Sequence, residues 1–172
     1  FFKKKHSIKV LNLLKVKKLR DEKIYVTRQN CSHRNVVNES DIIKELKNLD
    51  YRIVNTNEFD IFEQIDIFSN ASVVIAATGS ALTNIVFCHP GTKIFEISPI
   101  YKFKYENNFK SRYSSIANSL NFKYKRISAD PVAIKTIDKK TKQMINSKII
   151  KESNYYKDLI VKINDILINI SS

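Results

Sequence analysis

Arg28 and Arg34 stand six residues apart in TRQNCSHRNVVNE, directly after the short β-branched run KIYV. Two guanidiniums in one loop at the carboxyl end of a strand can hold a diphosphate bidentately, a geometry that lysine does not offer. Two solvated loop arginines are the plain alternative. Gly79, one of two glycines in the 172-residue chain, follows the apolar run VVIAA within Thr78-Gly79-Ser80 and precedes a segment of helical spacing. A glycine there lets the backbone approach a ligand without a Cβ, and the N–H groups of the following turn face an incoming anion. Glu96 lies inside the apolar run IFEIS, where an acid is costly unless it finds a partner. A ribose diol is one such partner, as in dinucleotide-binding folds; a nearby arginine is the other.

The elements that would position these residues follow from periodicity. Residues 8–19 (IKVLNLLKVKKL) read as a basic amphipathic helix, and KIYVTRQ (23–29) as a strand. Asn38 can cap a helix running through Leu49, with acids in its first turn and Ile42, Ile43 and Leu46 on one face. YRIVNT is the next strand, 59–69 a helix, and SVVIAA (72–77) an apolar strand of the kind buried on both faces. Ser80 to Cys88 reads as a short helix, KIFEISP as a strand, 107–120 as a helix, FKYKRIS as a strand, and about 153–169 as a terminal helix. Gly91, after Pro90, marks a turn between helix and strand. About five strands alternating with helices predict an α/β fold, a doubly wound parallel sheet, since parallel neighbours need crossovers long enough to hold a helix. A chain of this length buries one core and not two, so one domain is expected over 21–172, with residues 1–20 leading in from a part not included. The sole methionine is Met144, and the chain reads as a piece of a longer protein.

The net charge of +13 raises the question of nucleic acid. Residues 1–20 carry eight Lys/Arg and no acid, whereas residues 21–100 carry seven against eleven Asp/Glu. The motif-bearing centre is acidic, and no recognition helix or aromatic platform accompanies the basic flanks. Solvated lysine-rich helices are therefore favoured over a nucleic-acid surface, and the first twenty residues also suit contact with anionic lipid. The run from Ile67 to Thr92 is interrupted by polar residues and does not read as a membrane span. Cys31 and Cys88 are too few for a disulfide framework and suit a reducing compartment, hence the cytoplasm. Cys31, His33, Cys88 and His89 do not have zinc-site spacing, so no metal and no cofactor is expected.

Taken together, VTRQNCSHRNVVNE … FDIFEQIDIFSNASVVIAATGSALTNIVFCHPGTKIFEISP resembles the family 61 glycosyltransferases, which include O-linked GlcNAc transferases, β-1,2-xylosyltransferases and capsular polysaccharide enzymes. The likeness spans about residues 23–99 and runs in the family's order. It comprises Arg28-x5-Arg34-x3-Asn38-Glu39, a helix carrying Glu63-Gln64, Gly79-x3-Thr83-Asn84, and Glu96 before Pro99. The resemblance implies the Rossmann-like carboxyl-terminal half of a GT-B enzyme, transferring a hexosyl or pentosyl group with inversion and without an obligatory metal. A nucleotide-sugar, UDP-sugar first among candidates, is the implied donor and a glycan or other hydroxyl the acceptor. On that picture Arg28 and Arg34 contact the phosphates, Gly79 and Ser80 present N–H groups, and Glu96 reads the ribose. Thr83 and Asn84 either reach the donor or cap locally, and Glu39 and Glu63 either act or cap their helices. Thr78 stands where many members carry His, so any role of that imidazole falls to a hydroxyl. The family's amino-terminal acceptor domain has no counterpart here, so a remnant that binds nucleotide without turnover stays open.

Overall fold

In a computed structural model of the chain, which describes residues 21–29, 31, 34–100, 107–132 and 157–171, six strands form one sheet in the order β2-β1-β3-β4-β5-β6. They are β1 (Glu22–Val26), β2 (Tyr51–Val54), β3 (Ala71–Ala77), β4 (Lys93–Pro99), β5 (Lys123–Val132) and β6 (Asp158–Ile160). The first five pair in parallel, and β6 runs antiparallel against the end of β5. The crossovers are α1 (Glu39–Asn48), α2 (Ile61–Ser69), a 3₁₀ helix over Ser80–Phe87 and α3 (Asn107–Leu120); α4 (Ile163–Ile170) follows β6.

Where chain length predicted a single core, strand alternation divides the apolar side chains between two, one on each face of the sheet. On one face Ile24, Val26, Val74, Ala76 and Ile94 meet Ile67 and Phe68 of α2, Leu82 and Ile85 of the 3₁₀ helix, and Tyr113 and Ala117 of α3. On the other, Tyr25, Ile75, Phe95, Ile97 and Ile127 meet Ile42 and Leu46 of α1 and Ile166 of α4. Fully burying one such aliphatic side chain is worth about 1.5–3 kcal/mol. Helices that cover both faces therefore fix the strand register as well as the layers, because a one-residue slip would exchange the two cores.

Several elements differ from their sequence expectation. The sheet has six strands where about five were expected, and the helix expected from about 153 begins at Ile163, preceded by β6. Three residues are too few to show alternation, and β6 is specified by partners far away in sequence: Leu159 N–H donates to the Asn35 carbonyl at 2.8 Å, and Val37 N–H to the Leu159 carbonyl at 2.8 Å. The segment after Gly79 is 3₁₀ and ends at Phe87. Asn38 does not cap α1 with its side chain. Its amide instead donates to the Val161 carbonyl at 2.8 Å and its carbonyl oxygen accepts from Val161 N–H at 3.3 Å. Gly91 has the turn role expected of it, with a φ of +92° that L side chains rarely adopt. The helix expected at 8–19 lies outside the described residues.

Candidate functional site

The strand order reverses at β1: its crossover leads to β2 on one side, while β3 flanks it on the other. In open α/β sheets the crevice beyond the carboxyl ends of such a strand pair is where ligands bind. Arg28 leaves the end of β1, and Thr78 and Gly79 leave the end of β3, so both sequence motifs converge on this crevice.

Arg28 is 8% exposed, and its guanidinium lies against Gly79. A Cβ on Gly79 would stand 1.9 Å from Arg28 Nη1, so the arginine occupies the space that a side chain there would need. Gly79 itself is extended, with φ 171°, and the demand for glycine is one of space. Arg28 Nε donates to the Arg34 carbonyl at 3.1 Å. Arg34, also buried, turns that carbonyl inward through a left-handed backbone, φ 58°. Glu39 does not cap α1: its Oε1 accepts from the Tyr25 hydroxyl at 2.8 Å and from Arg28 N–H at 3.0 Å. The far end of the loop is held by Asp158 of β6, whose Oδ1 accepts from Asn35 N–H at 2.9 Å. Burial lowers the pKa of Arg28, the charge of Arg34 lowers it further, and Glu39 opposes the shift. Two cations that repel each other in one buried loop create a field that favours an anion.

The β3 loop is held mainly through the backbone. Thr78 N–H donates to the Ile97 carbonyl at 2.8 Å, and Leu82 N–H to the Gly79 carbonyl at 3.0 Å. The buried Tyr113 of α3 donates its hydroxyl to the same Gly79 carbonyl. In a 3₁₀ helix the first N–H groups have no intrahelical acceptor; here the first bond is that of Leu82 to Gly79, so the N–H groups of Ser80 and Ala81 precede it. Thr83 is exposed, and the Asn84 side-chain amide donates to Gln64 Oε1 on α2 at 2.7 Å. Asn84 thus joins the 3₁₀ helix to α2, away from the arginines.

Glu96 on β4 is 1% exposed and shares a face with Ile94 and, across the sheet, Ala76 and Arg126. Its Oε2 accepts from the Tyr124 hydroxyl and lies 3.9 Å from Arg126 Nε. Its Oε1 is buried without a hydrogen-bond partner among the described residues, as is Ser98 Oγ two residues on, on the same face. Burial pushes the Glu96 carboxyl above the ordinary range, and it outweighs the opposite pull of the Tyr124 and Thr78 hydroxyls and of Arg126 and Arg112. Buried polar atoms without partners are uncommon, and these two lie two residues apart on one face of β4. Ser98, Tyr113, Tyr124 and Arg126 were not singled out from sequence. Only alternation along IFEISP, which sets Ser98 beside Glu96, carried a signal for any of them.

Glu63 stands apart, exposed at the start of α2. It completes a capping box in which Asp60 accepts from Phe62 and Glu63 N–H groups while Glu63 Oε2 accepts from Asp60 N–H at 2.8 Å. Among the described residues no group of three or more His, Cys, Asp and Glu is arranged to hold a metal ion, and no helix is long and apolar enough to cross a membrane. A cleft of about 480 Å³ opens between Asn38, Asp130 and Ile163, and of the motif residues Asn38 alone lines it.

The fold is that of an α/β domain in which the Arg28 guanidinium lies on Gly79 at the strand carboxyl ends. Residues 2–95 match the glycosyltransferase 61 family model, and the chain belongs to that family. No curated protein matches the sequence significantly. Membership of a glycosyltransferase family makes glycosyl transfer, from a sugar donor to an acceptor, the chemistry of this domain.

Proposed function

We propose that the domain binds a nucleoside diphosphate sugar in the β1–β3 crevice, as the Rossmann-like donor half of an inverting, metal-independent GT-B glycosyltransferase of surface or capsular polysaccharide synthesis. One observation carries this reading: the Arg28 guanidinium packed on Gly79 where the strand order reverses, with Arg34 in the same loop. As the glycosidic bond to phosphate breaks, negative charge grows on the departing diphosphate. Fixed guanidiniums and the N–H groups of Gly79 and Ser80 stabilise it without reorganising. Glu96 Oε1 and Ser98 Oγ, both without partners among the described residues, suit the ribose diol, and UDP is the carrier we favour. Residues 21–172 act as one donor-binding unit in this scheme, and residues 1–20 lead into it, with their basic side chains available to a membrane surface.

Calorimetric titration of the chain with UDP, GDP and CDP tests the proposal. Saturable binding of one of them, weakened at least tenfold in Arg28→Ala, is expected, since hydrogen bonds to charged groups are worth about 1.5–3 kcal/mol. Absence of binding by all three overturns it. A second reading, a nucleotide-binding chain without turnover, is favoured by the engagement of the motif carboxylates: Glu39 with Tyr25 and Arg28, Glu63 in a helix cap, and Glu96 with Tyr124. None is poised as a base for an acceptor hydroxyl. Turnover of a sugar nucleotide by the chain alone would exclude this second reading.

A further inference from the structure

Glu39 ends the Arg-x5-Arg-x3-Asn-Glu motif, yet it neither caps α1 nor stands in the crevice. It is 6% exposed, and a single oxygen, Oε1, accepts from both the Tyr25 hydroxyl and the Arg28 backbone N–H. Tyr25 is itself fully buried in the second core, so the carboxylate is fixed from below before it fixes Arg28. The Arg28 amide is the last backbone group before the side chain turns over Gly79, and a displacement there moves the guanidinium by its full lever arm. The negative charge of Glu39 also favours the cationic form of Arg28.

We infer that Glu39 is a positioning residue: through the Arg28 N–H it holds the guanidinium in place over Gly79 for a diphosphate. This rests on the proposed function only in the choice of diphosphate as the anion. The inference requires that Glu39 act through Arg28, which a double-mutant cycle measures directly. The probe is inorganic pyrophosphate, titrated into the full chain and into the Glu39→Ala, Arg28→Ala and doubly substituted variants, with UDP titrated in parallel. Glu39→Ala is expected to weaken pyrophosphate binding about tenfold in the native background and less than about twofold when Arg28 is already alanine. Glu39→Gln, which keeps an acceptor oxygen, is expected to recover most of the affinity. A role in stability alone would leave the affinity of the folded fraction unchanged or weaken it equally in both backgrounds, and either result overturns the inference. Should Glu39→Ala not fold, a Glu39→Gln variant as weak as Arg28→Ala overturns it as well. Pyrophosphate bound with this coupling while UDP is refused upholds the inference and defeats the nucleotide-sugar reading. Refusal of both overturns the two together.

Discussion

The two loops that meet in the crevice are built in opposite ways. The β3 loop takes its shape from its neighbours in the chain and the adjoining strand: Thr78 N–H pairs with Ile97, and Leu82 N–H closes the turn on Gly79. The β1 loop adds to its backbone pairing with Leu159 two tethers from side chains elsewhere, Glu39 on Arg28 N–H and Asp158 on Asn35 N–H, the second pair 123 residues apart. A backbone-built loop survives most substitutions of its side chains, whereas a loop that also depends on two carboxylate tethers is loosened by the loss of either one. The cationic half of the site is thus the fragile half.

The sharpest test of this difference is Gly79→Ala. The added Cβ collides with the far end of a flexible side chain, so the backbone can stay while Arg28 is expelled. Diphosphate affinity is expected to fall on the order of a hundredfold, with stability changed by about 1 kcal/mol or less in urea titration. A large loss of stability would mean that the β3 loop is not the robust partner described. Next comes Asp158→Ala, which leaves the Asn35 amide without its acceptor. It is expected to cost about 1–3 kcal/mol and to speed amide exchange at Asn35 and Val37 but not at Thr78, a contrast that hydrogen exchange reads directly.

Glu96 sets a pH dependence of definite sign. Its folded pKa lies above the unfolded value, so the folded state binds more protons and stability falls as pH rises from the ordinary carboxylate range through the folded pKa. Glu96→Gln is expected to flatten that part of the profile in urea titrations across acid pH; an unchanged slope would assign it to other groups. The smallest effect belongs to Asp60→Ala, which opens the α2 capping box for about 1 kcal/mol and leaves diphosphate affinity untouched, since this cap stands outside both loops.

What the sequence disclosed follows the same division. Gly79 after VVIAA, and Arg28 after KIYV, announced strand ends and loops because local spacing and glycine chemistry encode them. The parallel order of the first five strands followed from their alternation with helices. Neither the hydrogen bond from Tyr113 of α3 to the Gly79 carbonyl nor the anchoring of the arginine loop by β6 has any local signature. Glu39 was legible as a motif member but not in its role, because an acid in the first turn of a helix suits the dipole whether or not it reaches back to a strand. Asn38 misled for the same reason: its position is that of a cap, while its amide is bound to Val161.

The pairing of β6 with the segment after β1 also sets an order of events in the life of the chain. A polypeptide is made from its amino end, and pairings between distant residues are late because they must close a long loop. Arg28 is translated early, but its loop has no Asp158 to rest on until more than a hundred further residues have emerged. Newly made chain is therefore expected to gain its anion site only after β6 has been made. Chains stopped at residue 156 and probed with pyrophosphate should be refractory where the chain through residue 172 binds, so that anion affinity reports the docking of β6.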